Sequence, residues 1–126
     1  MHQNVKRYLT RPIIGKVIAL NQYLIQVRTL PCKDIRNVHV SSILSSAEVL
    51  FIQAMREVRG KDYLKRATET IEEISAKNYL IYSLHGWSNK VTASIDAMCE
   101  DITAELYKVD AANKSQSHEV QGRTCV

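Results

Sequence analysis

The sequence predicts an all-α protein, an antiparallel up-down-up-down four-helix bundle, and three observations lead there. Apolar residues recur at helical spacing in four successive blocks. The stretches between blocks are only about three or four residues long, which suits helix–helix connections and makes neighbours run antiparallel. Four Gly and two Pro in 126 residues are about 5% where about 12% is ordinary. So few breakers argue against a many-turned sandwich or barrel and against Gly/Pro-driven disorder.

Helix one opens at Arg11-Pro12, because Pro suits the first helical position and pushes the residue before it out of the helical region. Its stripe is Ile13, Val17, Leu20, Leu24 and Val27, and it stops at Leu30-Pro31. A second, adjacent stripe of Ile14, Ile18 and Ile25 is more than one buried face requires and predicts packing against another subunit. Helix two begins near Asp34 and carries Ile35, Val38, Val40, Leu44, Ala47, Phe51, Ala54 and Val58; Gly60 is its stop signal. Helix three takes Asp62 as its N-cap, runs through Leu64, Ala67, Ile71, Ile74 and Ile81, and ends at His85-Gly86. Ser88 or Asn89 caps helix four, whose stripe is Val91, Ile95, Met98, Ile102, Leu106 and Val109. Residues 1–10 read as a basic leader and 11–110 as the bundle. Periodicity is lost over 111–126, which reads as a disordered tail.

No secretory signal is visible at the N-terminus, and no unbroken apolar run reaches the roughly 18 residues of a membrane span, so a cytoplasmic protein with no membrane contact is expected. Cys32, Cys99 and Cys125 are odd in number and widely spaced, as in reduced thiols.

The charge is polarised. Residues 1–33 contain Lys6, Arg7, Arg11, Lys16, Arg28 and Lys33 without one Asp or Glu, a charge of +6. Residues 34–66 carry +2 and residues 67–126 carry −4. Helix N-termini favour acids, by about 0.3–1 kcal/mol each, yet Arg11 and Lys16 open helix one uncompensated, and Lys65 and Arg66 do the same near the start of helix three. Such a patch points to a polyanion or an acidic protein surface.

Catalytic patterns are missing. There is no Glu-x-x-His pair for a di-iron bundle, no Cys-x-x-Cys or His-x-x-x-His for zinc and no Gly-rich phosphate loop, so no metal or cofactor is expected. Arg36 and His39, three apart on helix two, are a near-miss to the Arg/His pair of helical ribonucleases of the HEPN type. Glu69, Glu72, Glu73, Asp96, Glu100, Asp101 and Glu105 read as solvated helix faces, His85 as a helix C-terminal cation and Trp87 as a plug on the bundle end. The chain reads as a binding protein, not an enzyme.

A basic leader, the linker Leu30-Pro31-Cys32-Lys33, the segment Glu48–Ile52, the helix end Tyr82–Gly86 and the closing run Glu100–Leu106 come in a distinctive order. In these the chain resembles the accessory variability determinant proteins of diversity-generating retroelements, and more broadly the four-helix bundles encoded in 23S ribosomal RNA intervening sequences. The resemblance implies a homopentameric ring with a basic surface. It implies binding of the element's reverse transcriptase and template RNA, with DNA as a further polyanion, in support of cDNA synthesis during mutagenic retrohoming. The positions carried over are Arg11, Lys16 and Arg28 on helix one, Lys33 and Arg36 at the linker, and Arg56, Arg59, Lys61, Lys65 and Arg66 around the two-to-three turn. Two other readings stay open: a protein-only adaptor or antitoxin docking an acidic partner, and a small ribonuclease using Arg36 and His39.

Overall fold

The computed structural model describes residues 7–124, with side chains described over 7–116. Four long helices follow one another: α1 (Pro12–Val27), α2 (Lys33–Val58), α3 (Leu64–Ser83) and α4 (Asn89–Thr124). Among the described residues there is no strand. Connections of five residues, slightly longer than expected, join them. α1 and α3 each pack on both α2 and α4, which closes the four-cornered, antiparallel bundle. Met1–Lys6, most of the expected leader, and Cys125–Val126 lie outside the described residues.

The helix starts follow local chemistry. Pro12 stands at the first position of α1 and Arg11 is extended, at φ −68° and ψ 138°. Ser88 caps α4, accepting the Val91 N–H at 3.2 Å. α3 departs from expectation: it begins at Leu64, and Asp62 makes no capping bond. The Tyr63 N–H instead donates to Glu57 Oε2 at 2.6 Å, so a carboxylate from α2 serves the start of α3.

The core stripes of α1, α3 and α4 are close to those read from periodicity. That of α2 is not. Its first part contains a π-helical segment, Arg36–Val40, whose wider turns displace Val38 within it. Val38, expected in the core, is 62% exposed, while Val40, Ile43, Ala47, Leu50 and Ala54 are buried, and Leu44 and Phe51 are only partly so. By length and mean hydropathy α2 could also cross a bilayer; here its apolar face packs against α1 and α3.

Two further expectations change. The second stripe of α1 mostly serves the protein's own core: Ile14 is fully buried, Ile18 packs against the core, and Ile25 is left 48% exposed. The segment 111–126 is helical as far as Thr124 rather than disordered. Once a helix is nucleated, each added residue costs little. Ala111 and Ala112 favour it, Lys114 pairs with Asp110 at 2.9 Å, and Asn113 Nδ2 donates to the Glu57 carbonyl at 2.8 Å. At 36 residues α4 is about 54 Å long.

Candidate nucleic-acid interface

The up-down-up-down order brings four chain regions to one end of the bundle: the start of α1, the end of α2, the start of α3 and the outer part of α4. Arg7, Tyr8 and Arg11 meet Val58, Arg59, Ala112, Asn113 and Gln116 around a cleft of about 250 Å³ with no acidic residue in its wall among the described residues. The Arg59 guanidinium lies over the Tyr8 ring, 5.4 Å from its centre. Beside it, Arg56 and Arg66 lie 5.2 and 5.3 Å from the Tyr63 ring centre, and Arg56 Nη1 donates to the Tyr63 hydroxyl at 3.0 Å. Aromatic faces hold guanidinium groups without neutralising them.

The ion pairs among the described residues are Lys77–Glu73, Lys108–Glu105 and Lys114–Asp110. Not one arginine of this end takes part. Arg7, Arg11, Arg56, Arg59 and Arg66 thus have no ion-pair partner among the described residues, although Arg66 shares a cleft with Glu69 and Glu73. Lys65 is exposed in the first turn of α3, and Lys16 is half-buried one turn into α1. Lys61 belongs to a neighbouring cleft with Glu57, Gly60, Asp62, Asp110, Asn113 and Lys114. Arg28, Lys33 and Arg36 are exposed at the opposite end of the bundle and do not join the cluster.

The Arg36–His39 pair falls within the π segment. Its i→i+5 turns open the angle between residues three apart, compared with an α-helix. Arg36 is exposed, His39 is half-buried, and no hydrogen bond joins their side chains among the described residues.

Some acidic residues are less solvated than expected. Asp96 accepts hydrogen bonds from Ser75 Oγ at 3.1 Å and from the Tyr79 hydroxyl, and its own bond to Tyr79 and its charge raise the Tyr79 phenol above its ordinary value of 10. Glu73 accepts from Ser46 Oγ, which itself accepts from Lys77 Nζ at 2.7 Å, linking α2 to α3. Trp87 is a plug, as expected: it is 5% exposed and its indole N–H donates to Asn78 Oδ1 at 3.1 Å. Asn78 Nδ2 in turn donates to the Thr92 carbonyl. Cys32 is a free exposed thiol; Cys99 is free and buried, and burial together with Asp96 and Glu100 pushes it up to about 12. Cys125 lies outside the described residues.

Sequence reasoning missed Arg7 as a member of the site and Tyr8 and Tyr63 as the platforms. The spacing Tyr63-x-x-Arg66 was a usable signal, since residues three apart on a helix are neighbours. It also missed Glu57, although the stripe Val40, Ile43, Ala47, Leu50, Ala54 continues with a residue at 57 that is charged. No family model matches this chain, and neither a curated protein nor a solved structure does.

Proposed function

We propose that this protein is a non-catalytic binding module that holds RNA by its phosphate backbone at the arginine-rich end of the bundle. The observation that carries the reading is the gathering of Arg7, Arg11 and Arg59 round one cleft, with Arg56 and Arg66 beside it, none of them ion-paired among the described residues. Phosphates are bound well by such guanidinium groups, with little sequence preference, because no groove-reading motif is visible in the sequence. In the fuller form of this reading the RNA is a retroelement template, the protein partner is a reverse transcriptase, and the bundle works as an accessory factor in template-dependent cDNA synthesis. The resemblance in the order of sequence features supports that form. The homopentameric ring that accompanies it has Ile25 on α1 and Val49 and Ile52 on α2 as exposed apolar surface to bury. A monomeric mass in solution removes the ring from the reading.

The test is a gel-shift titration with heteropolymeric single-stranded RNA at several salt concentrations. Affinity should fall steeply between about 50 and 200 mM salt, with a log–log slope of about −0.7 per phosphate contacted. The triple variant Arg11→Gln, Arg59→Gln, Arg66→Gln should bind at least about tenfold more weakly and show a slope shallower by about 2. The matching variant at the other end, Arg28→Gln, Lys33→Gln, Arg36→Gln, should stay within about twofold of the parent if its side chains make no phosphate contacts. Absence of RNA binding at low salt, alongside a stable complex with an acidic protein, would replace this reading with that of a protein adaptor.

A further inference from the structure

Next to the arginine cleft lies a second cleft of opposite character. Glu57, in the last turn of α2, is 0% exposed, an unusual position for a carboxylate. It sits at the negative end of its own helix dipole, though the start of α3 offsets part of this. Its Oε2 accepts the Tyr63 N–H at 2.6 Å. Its Oε1 is buried and has no hydrogen-bond donor among the described residues. Of the basic groups nearby, Arg56 stacks on Tyr63, Arg59 on Tyr8 and Lys114 pairs with Asp110, while Lys61 lines the same cavity without a hydrogen bond or ion pair to Glu57 among the described residues. A buried carboxylate oxygen with no donor is costly, and natural structures answer it with a proton, a water or a cation.

The neighbours choose among these. Asp62, from the α2–α3 turn, and Asp110, from α4, face the same cavity of about 170 Å³. One carboxylate oxygen each from Glu57, Asp62 and Asp110 lies within 4.8 Å of the others. Two oxygens on opposite sides of one ion at about 2.4 Å, a calcium–oxygen distance, are separated by about that span. Asp110 gives one oxygen, Oδ2, to Lys114 and has its second oxygen outside that ion pair. The Asn113 side chain lines the cavity too. Three carboxylates from three separate elements, set against the two exposed ammonium groups of Lys61 and Lys114, keep an excess of anionic oxygen that suits a hard, oxygen-seeking divalent ion.

We propose that Glu57, Asp62 and Asp110 form a binding site for a hard divalent cation of the calcium or magnesium class, with the buried Glu57 Oε1 as the anchoring ligand. The ion would clasp the α2–α3 turn to α4 where α4 leaves the bundle. The inference does not depend on RNA binding, although Asn113 also lines the arginine cleft, so the two sites are neighbours. Burial, with Asp110 and Asp62 nearby, raises the Glu57 carboxyl above its ordinary 4.5 in the ion-free protein.

The experiment is thermal unfolding of the full chain after chelator treatment and removal of the chelator, at neutral pH, with calcium chloride or magnesium chloride titrated in and sodium chloride as the ionic-strength control. The expected result is a saturable rise in Tm of about 5–10 °C with at least one of the two cations. Asp62 is exposed, so Asp62→Asn should leave the ion-free Tm within about 2 °C and raise the cation concentration for half-effect at least about tenfold. Glu57→Gln should abolish the rise. No saturable shift with either cation, or equal shifts in Asp62→Asn and the parent, overturns the proposal and leaves a proton shared between Glu57 and Asp110 as the occupant.

Discussion

At both ends of the bundle a helix stops by the same backbone device. Where α2 ends, the Gly60 N–H donates to the Glu57 carbonyl and the Lys61 N–H to the Arg56 carbonyl. Where α3 ends, the His85 N–H donates to the Tyr82 carbonyl and the Gly86 N–H to the Ile81 carbonyl. Each is a Schellman motif with its turning residue in the left-handed region. At one end that residue is Gly60, at φ 90°, and at the other it is His85, at φ 61°. Past the motif the ends diverge. The α2–α3 end gathers arginines, carboxylates and two tyrosine rings. The α3–α4 end buries Trp87 and Gly86 and leaves Leu30, Val38, Tyr82 and Leu84 exposed. One end is built from charge and the other from packing.

The contrast teaches where conformational freedom can be given up. At the α3–α4 end the glycine is needed one residue later than the turn. A Cβ on Gly86 would lie 2.6 Å from Ile81 Cγ2, 3.0 Å from the Ile81 carbonyl oxygen and 3.2 Å from Ile35 Cγ2. Close packing therefore takes the glycine there, and His85 must bear the left-handed backbone. At the α2–α3 end nothing lies near a Cβ on Gly60, so glycine can occupy the turning position itself.

This comparison can be broken at three points, from the largest expected effect to the smallest. Trp87→Ala empties the plug of the packed end and orphans Asn78 Oδ1, and should cost about 3–5 kcal/mol in urea unfolding. A loss below about 1 kcal/mol would mean that this end is not held by packing. Glu57 offers a smaller, pH-dependent effect at the charged end. Its folded value is raised above its unfolded one, so its favourable contribution is complete below about 4.5 and disappears as pH climbs through the folded value. Without divalent ions, Glu57→Gln should flatten the decline of stability across that window, measured as unfolding midpoints at several pH values. An unchanged profile would place the titration elsewhere. The smallest effects have opposite signs. Gly60→Ala should lose about 1 kcal/mol and His85→Gly should gain about 0.5–1 kcal/mol, since one residue adds and the other removes left-handed strain. Equal signs in thermal unfolding would show that the two caps do not bear the backbone cost in the way their φ angles require.

Much of the fold was legible because its signals are local. Pro12, Ser88 and Gly60 mark helix ends through ring geometry, hydroxyl capping and left-handed freedom, and each acts within a few residues of itself. The stripes of α1, α3 and α4 follow from helical period alone. The stripe of α2 was misread at Val38, because a π segment inserts an extra residue and the apolar spacing on either side fits more than one phase. The candidate site was half legible. The basic residues could be named, and the predicted helix directions already place Arg28, Lys33 and Arg36 at the end away from Arg11 and Arg59, but which side chains share a cleft was not legible, since contacts between helices decide it.

What the amino-acid sequence determined by itself was the helical class, the number and order of the helices and the excess of cations toward the front of the chain. These rest on spacing, sterics and charge within single segments. The tertiary structure decided which cations share a cleft, that Glu57 is sealed in beside Asp62 and Asp110, and that Asn113 reaches the end of α2. Those facts depend on distances between residues about 50 positions apart in the chain. Antiparallel packing sets such distances, and no local pattern encodes them.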